Sequence, residues 1–277
     1  MKISSFFIVT EPEKMGFPYL ESIEADSKFS DEIVVVCGRN EEVSKRKILE
    51  KIPDAKIIET NAWPKDWHYD AMRDHLNVGL ENCTGDICLK CDADNVFRTA
   101  KSGQIRETLL SAGHNAHRIT FGRINFFHND LFLFNRNRVI YAINKKLCKE
   151  DGIEAEICYR ETGSNQPKFS KKINEFYVED RELWPINYDN TFMDGHQIAD
   201  KWIRWYRAYS RFRNEEIKFE LGDFENALDD YVNYQRAKIR GVYKIENFHP
   251  RIMRERIENL TPDLWGYNNF ANLSKEK

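Results

Sequence analysis

No run of apolar residues in this 277-residue chain approaches the roughly 18 that cross a bilayer, so no membrane-spanning helix is expected. Basic residues are not in excess: 42 Lys and Arg face 45 Asp and Glu, a net charge of -3. That excludes a chain-wide basic footprint, and nucleic acid is not an expected partner. The opening segment Met1–Thr10 lacks the apolar core and small-residue cleavage site of a signal peptide and reads instead as a first buried strand. The spacing of the six cysteines suggests no small disulfide framework, and a chain of this size does not need one, so a reduced, cytoplasmic setting is the default expectation. Cys88-Leu89-Lys90-Cys91 has no second pair with which to hold zinc and falls mid-strand, so its thiols read as structural. There is no internal repeat and no low-complexity linker. What the chain does have is 41% hydrophobic and 13% aromatic residues, enough for a real core under a well-charged surface.

The first hundred residues alternate strand and helix signals. Ile3–Val9 is rich in β-formers, and residues 17–27 read as helix. The nearly all-apolar Glu32–Cys37 has the composition of a strand buried on both faces. Residues 40–51 form a charged helix stopped near Pro53, and 55–59 a third strand. Tyr69–Asn82 reads as a longer helix ended by the turn Cys83-Thr84-Gly85-Asp86, before a fourth strand, 86–91. This order predicts an α/β fold with a Rossmann-like, mostly parallel sheet flanked by helices. Ligands of such sheets sit beyond the strands' carboxyl ends, here Thr10-Glu11, Gly38-Arg39 and Asp92-Ala93-Asp94.

The middle of the chain reads as a mixed extension of the sheet. Strands are expected at 118–127, 131–134, 138–143 and 154–160, with a turn at His128-Asn129-Asp130. From Asp194 to about Gly241 the pattern is helical, and the tail after Asn272 reads as frayed. The expected division is a core of 1–193, its halves about 1–100 and 101–193, with a mainly helical extension, 194–277, packed on it.

Asp92-Ala93-Asp94 leaves a buried strand directly. Two aspartates at i and i+2 on that bend can converge on one hard cation, and carboxylate oxygens suit Mn2+ or Mg2+. Such a cation can bridge a diphosphate and neutralise charge as it departs. The whole segment Tyr69–Asp94, a helix, a Gly-Asp turn and an apolar strand ending in D-x-D, resembles the GT-A glycosyltransferases, closest to the large, mostly inverting family-two-like group. The resemblance covers the first hundred residues well and the rest loosely.

It implies a nucleotide-sugar half and a variable acceptor half. The implied reaction is metal-dependent transfer of a sugar, with UDP-sugar as the first expectation and inversion at the anomeric carbon, to a glycan, lipid-linked or protein acceptor. By the same resemblance Asp92 contacts the ribose or a metal-bound water, and Asp94 coordinates the metal. Thr10 and Glu11 border the nucleoside, and Arg73 points into the donor site. Gly38 and Arg39 stand in Cys37-Gly38-Arg39-Asn40, where relatives carry an acidic, base-reading residue, so the base stays open.

Inverting transfer needs a carboxylate to take the acceptor proton. The resemblance points to Asp180 supported by Glu179, and Asp194 is the rival. A late histidine, His249 or alternatively His196, would complete the metal site. Trp63, Trp67 and Trp184 stand in irregular segments and could stack on sugars. Residues 201–213 carry Trp202, Tyr206 and Tyr209 at helical spacing beside Arg204, Arg207 and Arg211. That stripe could touch anionic lipid, making the protein peripheral at a membrane, or pack as an ordinary helix. The rival function is a haloacid-dehalogenase-type phosphatase with Asp92 of Asp92-Ala93-Asp94-Asn95-Val96 as nucleophile. A nucleotidyltransferase would need a Gly-rich basic loop after the first strand, which Thr10-Glu11-Pro12-Glu13-Lys14 does not provide.

Overall fold

The computed structural model describes residues 1–64, 66, 68–127, 131–158, 166–238, 243–244 and 248–260. The expected turn 128–130, Trp67 and the tail lie outside these residues. The alternating first part is observed as β1 (Ile3–Val9), α1 (Tyr19–Ser27), β2 (Glu32–Gly38), α2 (Glu42–Lys51), β3 (Lys56–Thr60), α3 (Tyr69–Asn82) and β4 (Ile87–Asp92). After it come β5 (Asn95–Val96), α4 (Ser102–Ala112), β6 (Arg118–Phe127), β7 (Leu131–Asn144) and α5 (Lys145–Glu150). The rest is β8 (Ala155–Ile157), β9 (Pro167–Phe169), β10 (Glu175–Val178), β11 (Ile186–Asn187), α6 (Gly195–Arg213), α7 (Phe224–Lys238), β12 (Tyr243–Lys244) and α8 (Arg254–Glu258).

The main sheet runs β3-β2-β1-β4-β7-β6-β11-β5, with β10 and β12 pairing the outer parts of β6 and β7. Pairing is parallel from β3 to β4, and β7 then joins antiparallel. This is the expected α/β architecture, with a mixed outer half. Alternate side chains of each central strand serve opposite layers, as the period of two requires. Ile3, Phe7, Val35 and Leu89 pack beneath Ile23 of α1, Ile48 of α2 and Ile105 of α4. Phe6, Val34, Cys88 and Tyr141 pack beneath Leu76 and Leu80 of α3. All four central strand residues on each face are essentially inaccessible, each contributing roughly 1.5–3 kcal/mol of burial.

The α3–β4 turn shows why the chain reverses where it does. A Cβ on Gly85 would stand 2.7 Å from the Ser4 backbone nitrogen, and the Gly85 amide donates to Ser4 Oγ at 2.8 Å. Only a residue without a side chain lets the turn press against β1.

Four expectations are corrected. The helix expected from residue 17 begins at Tyr19, because Pro18 stands at its N-terminal boundary. Residues 131–134 and 138–143 belong to one long strand, β7, whose pairing with β6 shifts register between Phe121 and Arg123. The strand expected at 154–160 is the short β8, paired with β9 in a separate sheet. The helical stretch from 194 breaks at Asn214, whose left-handed φ of 54° caps α6, and resumes only at Phe224. Helices α6 and α7 enclose Trp202, Ile203, Ala227 and Tyr231, and close against Met15 and Met193 of the preceding chain. Among the described residues no helix is long and apolar enough to cross a membrane.

Candidate active site

The site is built on the bend after β4. Register places Lys90 between Phe6 and Tyr141 on the neighbouring strands, and it is 1% exposed. A charge in that setting requires a partner. The partner is Asp92, two residues on and on the same face of the strand, whose Oδ1 accepts from the Lys90 ammonium. The fully buried Asn95 links the two aspartates: its Nδ2 donates to Asp94 Oδ1 at 2.9 Å and to Asp92 Oδ2 at 3.3 Å. The backbone of the bend is pinned from α1, where the Ser22 hydroxyl donates to the Asn95 carbonyl at 2.6 Å and the Asp92 carbonyl at 3.2 Å. The Tyr188 amide donates to the Asp94 carbonyl at 2.8 Å and brings the segment after β11 to the same place.

That segment carries Asp189. Burial first, then the charges of Asp189 and Asp92, push the Asp94 carboxyl up to about 7, while Lys201 and Arg123 pull the other way. Asp189 is itself ion-paired to Lys201 of α6. Three carboxylates therefore face three cations. Two lysines are in direct contact with Asp92 and Asp189, and Arg123 acts on Asp94 without a hydrogen bond.

A divalent cation suits this donor chemistry. The groups are hard oxygens, and the mutual repulsion that raises Asp94 is what a cation would relieve. Among the described residues no three His, Cys, Asp or Glu side chains stand together as a metal cage. A cation here would rest on one or two carboxylates and complete its shell with water and phosphate oxygens, the habit of Mg2+. His249 Nδ1 meets the Tyr188 hydroxyl at 2.9 Å, and its ring lies edge-on to Phe126. His196 is exposed, with its ring on Phe224.

The rim is formed by the ends of the parallel strands. Thr10 is half-buried at the end of β1. Glu11 follows with a left-handed φ of 43°. Its amide donates to Glu41 Oε1 at 2.9 Å, and its carboxylate takes Arg204 of α6 at 3.0 Å. Gly38 ends β2 where a Cβ would meet Asn40 Oδ1 at 2.6 Å, and Arg39 is exposed beside it. Arg73 is held on its own helix by Asp70 at 2.8 Å and Asp74 at 2.9 Å.

The expected bases occupy capping positions. Asp180 is exposed and accepts from the Glu182 amide at 2.9 Å, opening a 3-10 turn, with Glu179 exposed beside it. Asp194 is exposed and forms a capping box with Gln197 at the start of α6. Trp184 is a core residue: it is 2% exposed, covers Gly122, and its indole donates to the Val178 carbonyl at 2.7 Å. The basic stripe of α6 turns onto the core. Besides the Glu11–Arg204 pair, Asp66 binds both Arg207 and Arg211 and is held down at about 2, chiefly by Arg211. These arginines answer acids within the chain.

Sequence reading did not single out Lys90, Asn95, Arg123, Asn187, Asp189 or Lys201. A lysine inside an apolar strand two residues before an aspartate was a usable signal for the first. Asn95 lies on the bend itself, Arg123 comes from β6, and Asn187, Asp189 and Lys201 arrive only through the return of β11 and α6.

The class defined by this geometry is an α/β chain with acidic side chains, matched by cations, at the carboxyl end of a central parallel strand. No protein-family model matches the chain, and no curated protein does. Among solved structures it is similar to TarS 1-349 of S. aureus, with 12% identity, 87% of this chain and 73% of that one covered, and a TM-score of 0.45. The same protein in complex with UDP-GlcNAc gives 10%, 86%, 73% and 0.46. Glucosyl-3-phosphoglycerate synthase from Mycobacterium tuberculosis, in complex with Mn2+, UDP and phosphoglyceric acid, gives 12%, 53%, 56% and 0.37. At these TM-scores the likeness is one of general layout, and the functional reading rests on this chain's own side chains.

Proposed function

We propose that the chain is a glycosyltransferase that moves a sugar from a nucleoside-diphosphate sugar, UDP-linked in the first instance, to an acceptor hydroxyl. The observation that carries the reading is the bend at the carboxyl end of β4, where Asn95 ties Asp92 to Asp94 and where burial, then the charges of Asp189 and Asp92, raise the Asp94 carboxyl. An acidic cleft is a poor host for a diphosphate unless cations stand between them. Lys90 fixes Asp92, and Asn95 orients both aspartates of the bend. When bound at Asp94 and Asp92, Mn2+ or Mg2+ would offset the charge developing on the departing diphosphate. Lys201 stands 28% exposed on α6 and can exchange Asp189 for a phosphate oxygen. Released from that pair, Asp189 is the carboxylate placed to accept the acceptor's proton in an inverting transfer, ahead of Asp180 and Asp194. Thr10, Glu11, Gly38 and Arg39 line the rim where the nucleoside would lie.

A thermal-shift panel of nucleotides and nucleotide sugars with and without Mn2+ tests the reading. Stabilisation by UDP and UDP-sugars that requires Mn2+, and that disappears in Asp94→Ala while the variant stays folded, is the expected result. A protein indifferent to every nucleotide in the panel would overturn it. Nothing in the geometry favours the phosphatase alternative: Asp92, its nucleophile, is tied to a buried lysine on the fourth strand.

A further inference from the structure

Beside the carboxylate cluster, the short strands bring three asparagines into one row. Asn187 of β11 is in register with Asn95 of β5 on one side and with Asn125 of β6 on the other. Their neighbours Val96, Ile186 and Ile124 are also in register and fully buried on the opposite, apolar face. From that row the Asn95 amide donates to Asp94 Oδ1 at 2.9 Å. Arg123, two residues before Asn125, joins the asparagines' face. The register shift at Gly122, pressed under Trp184, lies just before it and sets its direction.

These side chains are incompletely used. Among the described residues the buried Asn187 Nδ2, Asn95 Oδ1 and Arg123 Nε have no hydrogen-bond partner. Asn95 and Asn187 are 0% and 3% exposed, so solvent does not readily satisfy them. A buried polar atom left unpaired costs about 1–3 kcal/mol, and a native protein tolerates several in one place where a ligand completes them. The row offers a donor, an acceptor and the edge of a guanidinium, side by side. Amides read hydroxyl groups, and a guanidinium reads a planar or tetrahedral oxyanion.

We propose that Arg123 and Asn187 form the sugar-reading subsite of the cleft, and that it takes a sugar carrying a carboxylate or comparable oxyanion next to free hydroxyls. This rests on the glycosyltransferase reading above. The charged sugar is either the one donated or the one that accepts, and the test separates the two.

Wild type, Arg123→Gln, Arg123→Lys and Asn187→Ala are titrated in Mn2+ by calorimetry with UDP, UDP-glucose and UDP-glucuronate, and UDP-loaded protein is titrated with free glucuronate. Circular dichroism and melting temperature establish that each variant is folded. If the donor sugar is read, wild type prefers UDP-glucuronate to UDP-glucose by roughly tenfold or more, the scale of a charge-assisted pair. Arg123→Gln removes that preference, read as the ratio of the two sugars' affinities so that any common change through Asp94 cancels, and Arg123→Lys, which keeps the charge without the fork, retains part of it. Asn187→Ala weakens both sugars and leaves UDP alone. If the acceptor is read, the Arg123 effect appears only with free glucuronate. The proposal is overturned if UDP binds and no folded variant alters any sugar, or if Arg123→Gln weakens UDP and its sugars equally, which would make Arg123 a diphosphate ligand. Failure of UDP to bind wild type counts instead against the glycosyltransferase reading.

Discussion

The pairing of Lys90 with Asp92 makes the two aspartates of the bend unequal. Asp92 is the counter-ion of a fully enclosed ammonium, whereas Asp94 has no lysine in contact and suffers its neighbours' repulsion. Removing the Asp92 charge strands Lys90. Asp92→Asn is expected to cost about 3–5 kcal/mol in urea unfolding, and Lys90→Met added to it to recover most of that loss. Asp94→Ala should leave stability unchanged or raise it, because it removes a buried carboxyl and then the repulsion of its neighbours. A second contrast separates capping from catalysis. Asp194→Ser keeps an N-cap oxygen while removing the carboxylate, so sugar transfer should persist, whereas Asp189→Asn should reduce it by roughly a hundredfold or more. Transfer rates measured at saturating donor decide between them. Neither Lys90 nor Asp189 is visible as functional in a local reading of sequence. Each acquires its role from what the fold places beside it.

At the scale of elements, long and strongly patterned segments were legible and very short ones were not. The apolar runs of β1, β2 and β4 and the helix ending before Gly85 are observed close to their expected bounds, since burial on both faces leaves a plain compositional mark. The strands β5 and β11 have two residues each and carry no periodicity, yet they create the asparagine row and bring Asp189 to Asp94. Half of the candidate site was therefore hidden. The packing of α3 on β1 offers a check on the legible part. A Cβ on Gly79 would stand 2.5 Å from the ring of Phe6, a fully buried side chain. Ala gains about 1 kcal/mol of helix propensity and overpacking costs about 1–3, so Gly79→Ala should lower the denaturation midpoint modestly.

Across the whole molecule, one buried acid couples folding to pH. Asp26 of α1 is fully enclosed and accepts from the Cys91 thiol at 2.8 Å. Burial pushes its carboxyl up to about 7, against the pull of Cys91 and Ser5. The unfolded chain releases this proton near pH 4 and the folded chain near 7. Between those values the native state binds more protons, so the contribution of Asp26 is complete below pH 4 and is lost as pH rises to 7. Unfolding free energy should fall across that window by an amount on the order of a few kcal/mol. Asp26→Asn should make the curve shallower, the slope due to Asp94 remaining, which urea titrations at several pH values would show.

The inward-facing charges of α6 bear on how such a protein could be recombined. Lys201, Arg204, Arg207 and Arg211 answer Asp189, Glu11 and Asp66, none of which lies on the helix. A chimaera joined near residue 194, taking its final helices from another protein, would inherit acids on one parent whose counter-charges stayed on the other. Grafts across that seam should succeed only when the helix and the three acids travel together.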